Sequence, residues 1–260
     1  MIMAFIQARM SSTRLPGKVF KPILGRPMLA LEIERVQSCK TLDRVALVTT
    51  THTDDQPIVE LGQRLNIDVF CGSMENVLDR FYQAAKKFRP DHIVRITGDC
   101  PLVDPEVVDN MIRLYLEMAG DYGTNCMPPT YPDGLDAEIF SINALELAHR
   151  EAVLPSHIEH ISLFFEEQPE RFKIVNLANS SDLSSLRWTV DEAEDFEFVK
   201  RIFEALYPMK PTFGFKDVLD VLEKHPELSS LNKKYMRNEG VLKSKEQDRA
   251  FLNACNTMKK

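Results

Sequence analysis

The chain opens with Ile2-Met-Ala-Phe-Ile-Gln-Ala-Arg-Met-Ser-Ser-Thr-Arg-Leu-Pro-Gly-Lys18, an apolar run that leads into a basic loop. The apolar run predicts a buried first strand. A loop that leaves a strand end with Arg9, Arg14 and Lys18 among small residues suits a polyphosphate ligand. The loop lacks the Walker spacing, because positions 12 and 19 hold serine and valine where glycine and a hydroxyl residue would be needed. A solvated basic loop is the alternative interpretation.

Composition limits the possible classes of protein. The chain has 260 residues and a formal net charge of -7, which argues against a general nucleic-acid binder but allows a small anionic ligand in a local cationic pocket. The sequence contains no apolar run that approaches a membrane span, and its first residues lack the basic front of a signal peptide. Five scattered cysteines without a C-x-x-C pair predict a reduced, cytoplasmic protein with neither a disulfide framework nor a zinc site.

Strand and helix signals alternate four times in the first 118 residues. Apolar runs predict strands at 2–6, 44–50, 67–70 and 92–96, and a helical pattern follows each of them. This alternation is typical of a parallel sheet with right-handed crossovers. Loops 7–18, 71–76 and 97–104 each follow a strand, so we expect them at the same edge of the sheet, where ligands bind. The predicted class is α/β, a mostly parallel sheet flanked by helices.

The second half departs from that alternation. A proline-rich loop at 127–134 is long enough to be functional or to cover an interface. The patterns beyond it predict strands at 136–140, 172–177 and 187–190, and helices at 141–152, 156–167, 193–206 and 214–224. From about residue 226 the chain is polar and lysine-rich, which indicates a helical extension or a partly ordered tail. We therefore predict a main domain at 1–212 and a small helical C-terminal extension at 213–260.

Two aspartates are candidate metal ligands. Asp99 lies in Thr97-Gly-Asp-Cys-Pro101 after the fourth predicted strand, and Asp191 follows the predicted strand 187–190. Mg²⁺ prefers one or two carboxylates together with substrate phosphates and waters, so two such aspartates would suffice. The alternative for each is a helix cap for the segment that follows, and the two roles are compatible.

Four segments together carry a family resemblance: Ile6-Gln-Ala-Arg-Met-Ser-Ser-Thr-Arg-Leu-Pro-Gly-Lys18, Arg95-Ile-Thr-Gly-Asp-Cys-Pro-Leu102, Tyr131-Pro-Asp-Gly-Leu-Asp136 and Leu186-Arg-Trp-Thr-Val-Asp191. They resemble the spore-coat polysaccharide F-type cytidylyltransferases, which are related to the acylneuraminate and 3-deoxy-manno-octulosonate cytidylyltransferases. The resemblance covers about residues 1–207 in the right order.

The resemblance implies a Rossmann-like, GT-A-like nucleotidyltransferase fold. It further implies transfer of CMP from CTP to an acidic sugar or similar acceptor, with Mg²⁺ and release of pyrophosphate, in surface polysaccharide biosynthesis. A cytoplasmic homodimer, paired through residues 128–170, is the implied assembly.

The same resemblance assigns residue roles. The catalytic residues would be Lys18, Arg14 and Asp99. The nucleotide would contact Gln7, Ala8, Arg9, Arg14, Lys18, Gly72, Ser73, Asn76, Thr97 and Gly98. The metal ligands would be Asp99 and Asp191, although this chain has Thr-Val-Asp-Glu where the sialic acid enzymes have Asp-x-Asp. The acceptor would contact Tyr131, Asp133, Asp136, Glu138 and His160. The alternative for the three acids is a turn that borders a strand, and the alternative for His160 is a position on a capped, partly exposed helix.

Other interpretations remain open from the residues. A glycosyltransferase that uses a nucleotide-sugar donor also places an aspartate, a metal and a diphosphate at a sheet edge, and a non-catalytic nucleotide-binding module is a third possibility. His157 and His160 share a helix face but lack an apparent third zinc ligand. We expect Cys100 to be a small apolar filler and Trp188 to be a core residue.

Overall fold

A computed structural model describes residues 1–237 and 239–258. Its strands are β1 (Ile2–Gln7), β2 (Pro22–Ile23), β3 (Arg26–Pro27), β4 (Arg44–Thr50), β5 (Asp68–Gly72), β6 (His92–Thr97), β7 (Tyr122–Thr124), β8 (Glu138–Ser141) and β9 (Ile174–Asn176). Its helices are α1 (Met28–Gln37), α2 (Gln56–Arg64), α3 (Val77–Phe88), α4 (Pro105–Glu117), α5 (Ile142–Glu151), α6 (Pro155–Glu159), α7 (Ile161–Glu166), α8 (Ala193–Leu206), α9 (Phe215–Lys224) and α10 (Glu239–Met258). Over the described ranges, the helices lack the combination of length and apolarity that a membrane crossing requires.

A seven-stranded sheet in the order β5-β4-β1-β6-β8-β7-β9 forms the centre of the molecule. β1 pairs in parallel with β4 and β6, and β4 pairs in parallel with β5. β8 is antiparallel to both β6 and β7, and β7 is parallel to β9. The predicted α/β class with a mostly parallel sheet is therefore confirmed. The loops that follow β1, β5 and β6 lie at one edge of the sheet, as expected.

Most elements agree with the sequence patterns, but several differ, and the short hairpin of β2 and β3 was not predicted. Residues 187–190 form no ladder and make only an isolated bridge between Arg187 and Asp133, so the predicted strand there is wrong. The predicted helix at 156–167 is two helices, α6 and α7, separated at His160, whose φ of -116° and ψ of 87° are not helical. The three-residue strand β7 escaped prediction because three residues are too few to display a period of two.

The core lies on both faces of the sheet, because successive side chains of β1 point to opposite faces. Ile6 packs with α1, α2 and α4 on one face, whereas Phe5 packs with α3, α5 and α7 on the other. Phe5 contacts the Phe81 ring at a centroid distance of 5.7 Å, and both rings are fully buried. Truncation of such a ring to alanine costs about 3–5 kcal/mol, so β1 anchors the loop that follows it.

A third cluster joins the end of the chain to the rest. Trp188, which is 1% exposed, packs there with Phe198 of α8, and Phe213 and Val218 of the predicted C-terminal extension belong to the same cluster. The core position of Trp188 is therefore confirmed. The division at residue 212 stays a prediction, and apolar packing is continuous across it.

Candidate active site

The loop after β1 folds back on itself and ends at Lys18. The amides of Ser12 and Gly17 donate to the Met10 carbonyl at 2.9 and 3.1 Å. Gly17 has a φ of +66°, a left-handed conformation that favours glycine. The turn leads directly into a short 3-10 turn at Lys18–Phe20, which holds Lys18 against the end of the sheet.

The Lys18 ammonium joins the two aspartates that the sequence singled out. Its Nζ donates to Asp99 Oδ2 at 2.8 Å, to Asp191 Oδ1 at 2.9 Å and to the Val190 carbonyl at 2.7 Å. All three donors of the ammonium are therefore satisfied, and only 10% of the side chain is exposed. The result is one buried cation that holds two carboxylates side by side.

These charges stabilise one another. Burial lowers the pKa of Lys18, but the charges of Asp99 and Asp191 outweigh burial and raise that pKa to about 12. Burial raises the pKa of Asp99, but the Lys18 charge and hydrogen bond outweigh it and lower that pKa to about 2. Both groups are thus ionised at neutral pH.

Backbone contacts bring the two aspartates together. The Gly98 amide donates to the Gln7 carbonyl at 2.8 Å, and a Cβ on Gly98 would lie only 2.9 Å from the Ala8 Cβ, so the end of β6 needs glycine here. The Val190 amide donates to the Asp99 carbonyl at 2.8 Å. Together with the bond from Thr189 Oγ1 to the same carbonyl at 3.3 Å, it docks the irregular 187–191 segment onto the end of β6.

Arg187 fixes the orientation of Asp191. Its guanidinium, 7% exposed, donates to both oxygens of the fully buried Asp195 at 3.0 Å each. The same group reaches Asp191 Oδ2 at 3.1 Å and Asp133 Oδ2 at 3.1 Å. One arginine thereby holds a candidate metal ligand and a candidate acceptor residue at a set spacing.

Two further arginines of the first loop face carboxylates. Arg14 lies 2.7 Å from Asp191 Oδ1 and 3.3 Å from Glu239 Oε2 of α10. A terminal nitrogen of Arg9 lies 3.8 Å from Glu159 Oε1, and the side chains of Arg9 and Glu159 are 41% and 35% exposed. Both guanidiniums are reachable from solvent, so an incoming phosphate can compete for them.

A second group of charged side chains lies on the other side of Lys18. Arg95 donates to Glu138 Oε2 at 2.7 Å, and Arg237 donates to Asp136. Burial, followed by the charge of Asp136, raises the pKa of Asp133 to about 7. Burial likewise raises the pKa of Asp136. These acids and arginines form a polar wall of alternating charge.

Most of these charged groups border one cavity of about 600 Å³ at the carboxyl edge of the parallel strands. This volume lies within the range that ligand sites occupy. The wall includes thirteen of the residues predicted from sequence, namely Gln7, Ala8, Arg9, Arg14, Lys18, Thr97, Gly98, Asp99, Asp133, Asp136, Glu138, His160 and Asp191. These thirteen residues come from five separate stretches of the chain, which therefore meet in one place.

Four predicted residues do not line this cavity. Gly72 ends the edge strand β5, and Ser73 and Asn76 follow it, where the Ser73 Oγ accepts from the Asn76 amide and the Asn76 side chain caps α3. The Tyr131 ring packs edge-on against Phe215 at 5.9 Å and is buried in the core. The roles of these four residues stay predictions, and in this structure their side chains serve the turn, the cap and the core.

The histidine and cysteine alternatives find no support in the described part of the chain. His157 Nε2 lies 2.9 Å from Glu167 Oε2, whereas His160 Nε2 lies 3.0 Å from Ser244 Oγ. Residues 1–237 and 239–258 contain no cluster of three or more His, Cys, Asp or Glu side chains that could hold a metal ion. Burial raises the pKa of the Cys100 thiol well above its usual range, which fits an apolar filler rather than a nucleophile.

Sequence reasoning missed several arginines of the site. Arg95 and Arg187 lie inside two of the quoted motifs, so their presence in the motifs was an available signal. Arg237, Glu239 and Lys245 also line the cavity but lie in a polar region that carries no recognisable motif. The position of these three residues in the cavity wall is evident only from the folded structure.

Comparison with known proteins places the chain in a family. The family model described as cytidylyltransferase matches residues 3–256. The chain belongs to the cytidylyltransferase family. The spore coat polysaccharide biosynthesis protein SpsF of Bacillus subtilis is 30% identical over 88% of this chain and 97% of its own length. A cytidylyltransferase structure from Leptospira borgpetersenii superposes with a TM-score of 0.84 at 35% identity, over 90% of this chain and 98% of its own.

A more distant relative shares only part of the chain. The 3-deoxy-manno-octulosonate cytidylyltransferase of Zea mays is 38% identical over 45% of this cytidylyltransferase and 39% of its own length. The expected family, fold and enzyme class are confirmed. The family match also extends through residue 256, beyond the stretch that the sequence motifs covered.

Proposed function

We propose that this cytidylyltransferase transfers CMP from CTP to an anionic sugar, or a similar acidic acceptor, and releases pyrophosphate. The observation that carries the proposal is the Lys18 ammonium held between Asp99 and Asp191 on the cavity floor. A cation beside two carboxylates, with Arg9 and Arg14 nearby, supplies the charges that a triphosphate and its metal need.

Mg²⁺ is the proposed cofactor, and the donor set fits it. Asp99 and Asp191 bind the same ammonium, so their carboxylates are close enough to share one ion together with phosphate oxygens and water. Lys18 bonds Asp99 Oδ2, whereas Asp99 Oδ1 lies 3.6 Å from the neutral Cys100 thiol, so a metal ion would compete for Oδ1 with a weak donor. When bound, Mg²⁺ would neutralise phosphate charge and act as a Lewis acid.

The side chains of the site would bind the phosphates and stabilise the leaving group by their position and charge. The guanidiniums of Arg9 and Arg14 would exchange their carboxylate partners for the β- and γ-phosphates. Lys18 would stay beside the departing pyrophosphate and stabilise the charge that develops there. The acceptor would bind beside Asp133 and Asp136, and transfer requires its hydroxyl to attack the α-phosphorus in line with the departing pyrophosphate.

The name of SpsF supports a role in surface polysaccharide biosynthesis. The names of the octulosonate relatives support an acid sugar as the acceptor class. We also propose a homodimer paired through residues 128–170, which light scattering would contradict by showing a monomer. Free cysteines and the use of CTP fit a cytoplasmic enzyme.

A pyrophosphate-release screen tests the proposal. CTP, ATP, GTP and UTP are each offered with a panel of acidic sugars and Mg²⁺. We expect pyrophosphate and a CMP-sugar only with CTP. Consumption of a nucleotide-sugar with release of a nucleoside diphosphate would instead indicate a glycosyltransferase, and inactivity toward every acceptor would contradict the proposed transfer.

A further inference from the structure

The end of the chain closes one side of the cavity. The C-terminal segment, here residues 232–237 and 239–248, contributes Met236, Arg237, Glu239, Gly240, Val241 and Lys245 to the cavity wall. Its contacts reach three separate parts of the site: Glu239 pairs with Arg14 of the first loop, Arg237 pairs with Asp136, and the Ser244 Oγ bonds His160. A tail that merely extended the protein would not meet all three.

Polar contacts hold this segment firmly against the body. Asn232 is 2% exposed and donates to the Arg187 carbonyl at 2.9 Å and to Asp195 Oδ1 at 2.8 Å. Near the other end, the Ser156 amide donates to Asp248 Oδ1 at 2.9 Å. The segment is thereby anchored on both sides of Arg237, which fixes where that side chain enters the cavity.

The cations of the wall are not equivalent. Arg187 is committed to Asp195, Asp191 and Asp133, and Arg95 donates to Gln7 and Glu138. Arg187 therefore holds the carboxylates around Asp191 in place, and Arg95 holds side chains at the ends of β1 and β8.

Arg237 is placed differently. One terminal nitrogen donates to Asp136 and to the Cys126 Sγ at 3.5 Å, and the other reaches the Tyr131 carbonyl at a long 3.3 Å. Its Nε lies 3.9 Å from Asp133 Oδ1, which is beyond hydrogen-bond distance. The Nε–H of this cavity-lining guanidinium therefore makes no close hydrogen bond to the described carboxylates around it, so it can still donate to a ligand.

We propose that the C-terminal segment completes the acceptor subsite and that Arg237 is its specificity-determining residue, which receives the acid group of the sugar. This inference depends on the proposed function. A guanidinium suits a carboxylate because its planar fork can offer two parallel N–H donors. The acid group would occupy the space beside Nε, while Asp136 keeps its bond to the terminal nitrogen and Asp133 accepts from a sugar hydroxyl.

The test compares acid and ester acceptors. Pyrophosphate release is measured with 3-deoxy-manno-octulosonate and with N-acetylneuraminate, and with the methyl ester of each, for the wild type, Arg237→Gln, Arg237→Lys and the control Lys234→Gln. Lys234 is a cation of the same segment, but it pairs with Glu194 and does not line the cavity. Melting temperatures show whether each variant is folded.

For the wild type we expect a preference for the acid over its ester. Arg237→Gln should raise the acceptor KM about 10- to 100-fold, as loss of a charged hydrogen bond does, and leave the KM of CTP within about twofold. It should also abolish the acid preference, which Arg237→Lys restores in part and Lys234→Gln leaves intact.

Two results would overturn this inference and leave the proposed function standing. One is an Arg237→Gln enzyme that keeps the wild-type ratio of acid to ester. The other is a wild type that transfers CMP equally well to acids and esters, in which case the proposed nucleotidyl transfer stands. A wild type that releases no pyrophosphate with any acceptor refutes the proposed function, and this inference falls with it.

Discussion

Replacement of Asp99 by asparagine tests the centre of the site. The change keeps the shape of the side chain and removes one of the two carboxylates that contact Lys18 Nζ, at 2.8 Å. It also removes one of the two proposed Mg²⁺ ligands. Loss of one such preorganised charge costs about 3–4 kcal/mol of barrier, so we expect turnover to fall about 10²- to 10³-fold.

The effect on stability follows from the pKa of Asp99. Lys18 holds that pKa at about 2, below its usual value of about 4, and this difference corresponds to about 2 kcal/mol at neutral pH. The variant keeps the Lys18 contacts with Asp191 and the Val190 carbonyl, so about 2 kcal/mol is the upper bound on its loss. For a chain of this size the melting temperature should fall by less than about 10 °C.

The pH dependence has a definite sign. A carboxyl whose pKa is lowered by folding contributes stability above its unfolded pKa of about 4, and that contribution is lost as the pH falls from about 4 to about 2. The difference in melting temperature between the wild type and Asp99→Asn should therefore be full at pH 7. It should shrink as the pH falls through this window.

The assay is pyrophosphate release at saturating CTP over a range of Mg²⁺ concentrations, with melting curves at each pH. Asp217→Asn is the matched control, because Asp217 accepts from Lys210 Nζ at 2.8 Å, has a lowered pKa owing first to that hydrogen bond, and lies outside the cavity. We expect the control to lose some stability and no activity. Wild-type turnover in Asp99→Asn would refute the metal assignment.

Three further predictions concern the same charges. Lys18→Ala should weaken CTP binding or turnover by about 100-fold, because two carboxylates lose their shared cation; unchanged kinetics would make the first loop merely structural. Glu239→Gln should lower the KM of CTP by up to about fivefold, since Arg14 loses a partly exposed partner that competes with phosphate; a raised KM would contradict this. Removal of divalent ions by EDTA should stop turnover and leave the melting temperature of the nucleotide-free protein unchanged, because Lys18 satisfies Asp99 and Asp191 without a metal; full activity in EDTA would exclude Mg²⁺.

Sequence periodicity was a reliable guide to the fold wherever an element is long. The buried strand at Arg44–Thr50 and the helix at Ala193–Leu206 have the predicted bounds, since each carries a continuous apolar run or a clear helical repeat. Short or irregular stretches failed. Residues 187–190 look like a strand in sequence, yet they are held by single bonds such as that from the Val190 amide to the Asp99 carbonyl.

The sequence by itself determined the α/β class, the edge of the sheet where ligands bind, and the family. These follow from local apolar patterns and from short motifs, which are written in consecutive residues. It also named both aspartates and the lysine of the site. It could not say that one ammonium joins Asp99 and Asp191, which lie 81 and 173 residues from Lys18.

Tertiary structure alone decided which charged groups meet. Arg237 comes from a polar stretch without a motif, and it enters the site only because Asn232 and Asp248 anchor that stretch against the body. Choice of partner for a long cationic side chain depends on where distant backbone segments converge. No periodicity or spacing records that convergence, so the acceptor side of this cytidylyltransferase became visible only in three dimensions.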